Sequence, residues 1–152
     1  MVAAGRDEER LARAKEAGAD ETVRLGGDFR EELREAVGGA GLTLIFDPVW
    51  GEPLVAALDV AAAGARIVHL GQSAGAEASL ASGTVRGKQL ELLGFSNFAV
   101  PVDVLQREYE RLVRHALAGE LEVDVESVPL DEVASAWARQ QHGDLKKLVL
   151  VP

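Results

Sequence analysis

The chain has 152 residues, 47% hydrophobic and 27% charged, a composition that supports one domain with a core. A net charge of -9 argues against nucleic acid as a partner, because phosphate contacts need a basic face. No apolar run is long enough to span a membrane, no basic and apolar leader opens the chain, and Cys is absent, which together suggest a cytoplasmic protein without disulfides or thiolate metal sites.

Met1–Arg6 is a short apolar run ending at Gly5 and reads as a strand. A helix follows from Asp7, which suits its N-cap, to Ala17, closed by Gly18. Residues 21–25 alternate as a second strand ended by Gly26 and Gly27. Asp28 is placed to cap the next helix, with Glu31 completing a capping box and Phe29, Leu33, Ala36 and Val37 on one face. Leu42–Phe46 is a continuous apolar run of the kind buried on both faces of a parallel sheet. Pro53 fits the first turn of a helix reaching Ala63. Residues 66–70 and 89–95 read as two more buried strands, with a loop rich in Ala, Ser and Gly at 72–83.

The tail changes character. Leu105, Tyr109, Leu112, Val113, Ala116 and Leu117 mark a long amphipathic helix over 102–118. Residues 121–125 alternate as a half-buried strand. Leu130, Val133, Ala134 and Trp137 define a helix with Trp137 at core spacing, and 147–151 form a last strand. The alternation of strand and helix predicts an α/β fold with a doubly wound parallel sheet, Rossmann-like. Residues 1–100 are expected to be a partial dinucleotide-binding region, and 101–152 a C-terminal helix and tail that would complete it and pack on a missing catalytic domain.

Ligands of such sheets sit beyond the carboxyl ends of the strands. Those ends carry Gly5-Arg6, Asp47–Gly51, Leu70–Gly75 and Gly94–Asn97, rich in Gly and small polar residues. Glycines also simply terminate strands, but four such ends along one sheet point to a binding edge. Arg6 follows the second strand of a Rossmann order, where a guanidinium meets the 2′-phosphate of NADP. It reads equally well as a solvated cation before a helix. The three His residues show no metal-ligand spacing.

In order and spacing the pieces resemble the medium-chain dehydrogenase/reductases, in particular their quinone-oxidoreductase-like branch. The resemblance is carried by Glu9-Arg10-Leu11 through Gly18-Ala19-Asp20, by Asp47-Pro48-Val49 with Gly51, and by Gly64–Gly71. It continues through Ser73, Gly75, Pro129-Leu130, Ala136-Trp137 and Lys147–Leu150. The resemblance implies a nicotinamide cofactor, NADP, bound by Arg6, Asp47, Val49, Gly71, Ser73, Gly75, Phe95, Ser96 and Asn97. It implies hydride transfer to a quinone or enone carbonyl. It also implies a homodimer through the last parallel strand, near Glu91–Gly94. A zinc-dependent alcohol dehydrogenase cofactor domain and a non-catalytic dimerisation or nucleotide-binding module remain open alternatives.

Two departures stand out. Trp50 occupies a position where the family usually has Gly. No Gly-rich turn follows a strand, so the family's first Rossmann strand and its catalytic domain are not encoded here, and the chain alone is expected to be inactive. In the order 3-2-1-4-5-6 that strand lies between the strands at Val2 and Leu42. Its lack predicts a shifted pairing that closes the gap, strand exchange with a second copy, or partial disorder of the first forty residues.

Overall fold

The computed structural model describes residues 1–121, 123–143 and 146–152. They form two compact units, Met1–Ala99 and Val100–Pro152. No helix among the described residues is long and apolar enough to cross a membrane.

The first unit opens with β1 (Val2–Gly5), α1 (Glu8–Glu16) and β2 (Glu21–Arg24). Asp7 caps α1 as its position predicts: its carboxylate accepts the Arg10 N–H at 2.9 Å. β1 pairs with β2 in parallel, and Leu11 and Ala19 are buried. Next come α2 (Phe29–Val37), β3 (Leu42–Asp47), α3 (Gly51–Asp59), β4 (Ala61–His69), α4 (Ser82–Gly87) and β5 (Glu91–Gly94). Here β4 lies between β3 and β5, all parallel. The rhythm of strand, helix and parallel strand is the Rossmann-like α/β fold that the sequence predicts.

No ladder joins β1 to β3 among the described residues. The shifted pairing expected to close the gap is not formed. Each flanking strand keeps its outer partner and its own helix, and that holds both halves in place. One core spans them: Val23 of β2, Leu33 of α2, Ile45 of β3, Leu54 and Leu58 of α3, and Ile67 of β4. Val2, Phe29, Ala36 and Val37 pack against it from partly buried positions.

Several local readings are overturned. The helix expected to reach Ala63 stops at Asp59, because Ala61 pairs with Leu42 and begins β4. Ladder pairing outweighs the helical propensity of the alanines. Asp28 makes no side-chain cap, and Glu31 pairs instead with Arg34 one turn on. β3 and β4 are each buried on one face only: Ile45 and Ile67 point into the core, whereas Leu44 and Phe46 are 60% and 69% exposed. All four residues of β5 are exposed, and the strand is one of the two edges of its sheet. Leu44 and Phe46 of β3 and the residues of β5, expected to be buried, are therefore exposed, while Ile45 alone of residues 43–46 lies in the core.

The second unit holds α5 (Val102–Leu117), β6 (Val125–Pro129), α6 (Val133–Gln141) and β7 (Lys147–Val151). The long helix appears as predicted but carries no buried residue. The strand expected over 121–125 begins at Val125 instead, since β7 pairs with 125–129; Glu122 lies outside the described residues. Trp137, expected in a core, is 67% exposed, and Ala136 is the buried residue of α6. Arg139 grips Glu126 with two hydrogen bonds of 2.8 and 3.0 Å, fixing α6 to β6.

Burial that falls on one face predicts unequal costs. Ile67→Ala, at a fully buried position, should cost about 2–5 kcal/mol. Leu44→Ala, on the open face, should cost under about 0.5 kcal/mol. Urea unfolding measures both, and equal losses would contradict one-sided packing.

Candidate cofactor site at the strand ends

The C-terminal ends of β3, β4 and β5 lie side by side, with Asp47 paired to His69 and His69 to Gly94 in the two ladders. Asp47 is 3% exposed and is the one buried charged residue among those described. A carboxylate in that position must be paired or hydrogen-bonded to be tolerated. Its Oδ1 accepts the backbone N–H groups of Val49, at 3.1 Å, and Trp50, at 2.9 Å. Its Oδ2 lies 2.8 Å from His69 Nδ1. Since a carboxylate only accepts, Nδ1 carries the hydrogen and donates it. The Trp50 ring then stacks obliquely on the imidazole, with centroids 4.1 Å apart and planes at 44°.

The neighbouring loop is sewn to this turn. Ala74 N–H donates to the Val49 carbonyl at 2.8 Å, and Leu70 N–H to the Asp47 carbonyl at 3.0 Å. Gly71 passes so close that a Cβ there would lie 2.4 Å from the Pro48 oxygen, so no side chain fits. Phe95 N–H donates to the His69 carbonyl at 2.8 Å and brings the end of β5 to the same edge. Of the residues predicted to hold a cofactor, Asp47, Val49, Gly71, Ser73 and Gly75 are thus gathered at one place. Ser73, Phe95, Ser96 and Asn97 are exposed along this edge. Gly94 has open space where a Cβ would stand.

Two predicted members sit differently. Asp47 does not face outward as a ligand; its acceptor atoms are turned inward to Val49, Trp50 and His69. Arg6 is exposed at the end of β1, in the other sheet, and no ladder links it to the β3–β5 edge. His69 was missed because a lone His in an apolar strand carries no local signal. The pointer was its register: Asp47 and His69 end adjacent parallel strands at the same level.

The hydroxyl and amide groups of Ser73, Ser96 and Asn97 are exposed beside Gly94 at this edge. No three His, Asp or Glu residues converge among the described residues, so they offer no zinc ligand set. Two surface depressions lie away from this edge, one beside Glu21, Glu32 and Glu35, the other by Arg34 and Ala61–Ala63.

Parallel strands, crossover helices and a glycine-lined carboxyl edge define a Rossmann-type nucleotide-binding unit. Residues 1–117 match the family model described as zinc-binding dehydrogenase. The chain belongs to that family, within the medium-chain dehydrogenase/reductases, and corresponds to their C-terminal cofactor-binding region. Its fold is thus that of oxidoreductases acting with a nicotinamide cofactor.

No curated protein matches the sequence. Among solved structures, AibC is 30% identical with a TM-score of 0.83, over 99% of this chain and 41% of that one. An NAD-dependent alcohol dehydrogenase is 25% identical with a TM-score of 0.76, over 99% and 43%. CurA of Vibrio vulnificus, solved with NADPH, is 20% identical with a TM-score of 0.79, over 98% and 48%, and shares the fold. The chain spans less than half the length of these relatives.

Asp47→Ala would strip the acceptor from two backbone N–H groups and from His69 Nδ1. A loss of about 2–3 kcal/mol is expected from the unmet donors, read as a lower urea midpoint. An unchanged midpoint would show that the carboxylate does not hold this turn.

Proposed function

We propose that this chain supplies the cofactor side of an NADP(H)-dependent oxidoreductase that reduces a quinone- or enone-type carbonyl. The reading is carried by one observation: the turns 47–51 and 70–75 and the end of β5 are tied together at the carboxyl edge of three parallel strands. When bound, the nicotinamide would supply hydride. The chain's own contribution is placement: Ser73, Ser96 and Asn97 offer polar groups to the ribose and carboxamide, and Gly71 lets their loop lie directly against Pro48.

The choice of NADP over NAD rests on Arg6, exposed directly after Gly5 at the end of β1. Its guanidinium suits a ribose 2′-phosphate, whereas NAD binding calls for an acid at that strand end. The reading includes a homodimer. The outer edge of β5 has no ladder partner among the described residues, and Leu92 and Leu93 are 45% and 46% exposed. Such an edge invites pairing with a second copy across a two-fold axis. The reading also holds that the chain alone is inactive, because the described residues contain no Gly-rich strand-turn-helix to cradle a pyrophosphate.

Cofactor affinity tests it. In a full-length enzyme carrying this segment, NADPH should bind about 10- to 100-fold more tightly than NADH, from a charge-assisted contact of roughly 1.5–3 kcal/mol. Arg6→Ala should remove most of that preference and leave NADH binding nearly unchanged. Equal affinities before mutation would contradict the assignment.

A further inference from the structure

Trp50 breaks a local rule, and the structure maintains the breach. Its φ of 58° lies in the left-handed region, where a bulky side chain is strained and where Gly would sit freely. Its N–H is held by Asp47 Oδ1 at 2.9 Å. Its ring rests on His69, and His69 is fixed in turn by the other oxygen of the same carboxylate. A single buried acid therefore holds the strained backbone and, through the imidazole, the ring. Trp50 packs against the core from a position that stays half-buried, so part of it remains open at the strand ends. Strain that surroundings over-determine is characteristic of functional positions. What the strain achieves here is the placing of an indole at the carboxyl end of β3, on the edge where open α/β sheets bind ligands. An indole there has the chemistry to stack on a flat base.

We propose that Trp50 is the stacking residue for a flat heteroaromatic ring of a dinucleotide, adenine or nicotinamide, and that His69, oriented by Asp47, is its positioning residue. The assignment rests on the cofactor-site reading above and extends it to a ring contact.

The chain has two tryptophans, so Trp137→Phe leaves Trp50 as the only one, and its emission reports on this position alone. That variant is titrated to high concentration with adenosine monophosphate, nicotinamide mononucleotide and ribose 5-phosphate, with NADPH binding followed in parallel by calorimetry. Saturable quenching by one of the two ring-bearing probes, and none by ribose 5-phosphate, is the expected result. The probe that quenches identifies the ring. Adding His69→Ala should weaken that titration at least threefold, and His69→Gln, which keeps an N–H for Asp47, should recover part of the loss. Two His69 variants, each checked for a retained fold by circular dichroism, separate positioning from folding.

If calorimetry registers NADPH while Trp50 emission stays silent, or if ribose 5-phosphate quenches equally, the stacking role is overturned and the site reading stands. If no probe quenches and no heat of NADPH binding appears, both fall. Quenching that survives both His69 changes would remove the positioning role alone.

Discussion

The carboxylate of Asp47 is the interaction on which the functional edge depends. It terminates β3, takes the first N–H groups of the turn into α3, and fixes the imidazole that ends β4. A carboxylate at 3% exposure is tolerable only with such partners, and it has two on Oδ1 and one on Oδ2. The remaining contacts of the edge follow from this anchor. Because the turn is held, Val49 presents its carbonyl to Ala74, Gly71 slides against Pro48, and Gly51 packs close to the Ala74 oxygen. Polar groups at a strand edge bind with selectivity only when their backbone is held, and the Asp47 network provides that rigidity.

The sheets around this anchor are organised by coverage. Helices α2 and α3 bury one side, so Ile45 and Ile67 lie in a continuous core while Leu44 and Phe46 face outward. The β1–β2 pair shares that core through Val23 and Val2 without sharing a ladder with β3. Burial between side chains is non-directional, whereas ladder bonds need a neighbour at strand spacing. That difference allows two separate parallel sheets to form one packed unit.

Features set by local chemistry were legible in the sequence. Asp7 capped α1 because a cap needs only the residue and the next three N–H groups. The strands at 42–46 and 147–151 were marked by apolar runs, and the order of the pieces carried the family. What failed was decided at a distance. Ala61–Ala63 look helical until Leu42 draws Ala61 into a ladder, and the strand that the alternation suggests near 121–125 begins at Val125, where β7 pairs with it. Asp28 and Glu31 form a capping box on paper, yet Arg34 competes successfully for Glu31. The strand ends singled out in the sequence lie side by side in the fold, and the Asp47 carboxylate there is turned inward to Val49, Trp50 and His69. His69 was invisible because its meaning comes from a carboxylate on the adjacent strand, 22 positions earlier.

The central claim is that ligand binding belongs to the carboxyl edge of β3, β4 and β5. Amide chemical-shift mapping of the isotopically labelled chain with NADPH addresses it residue by residue. The account predicts shifts concentrated at 47–51, 70–75 and 94–97, with the N-terminal ends of the same strands unmoved. Shifts centred instead on the acidic depression of Glu21, Glu32 and Glu35, or spread evenly along the chain, would contradict it.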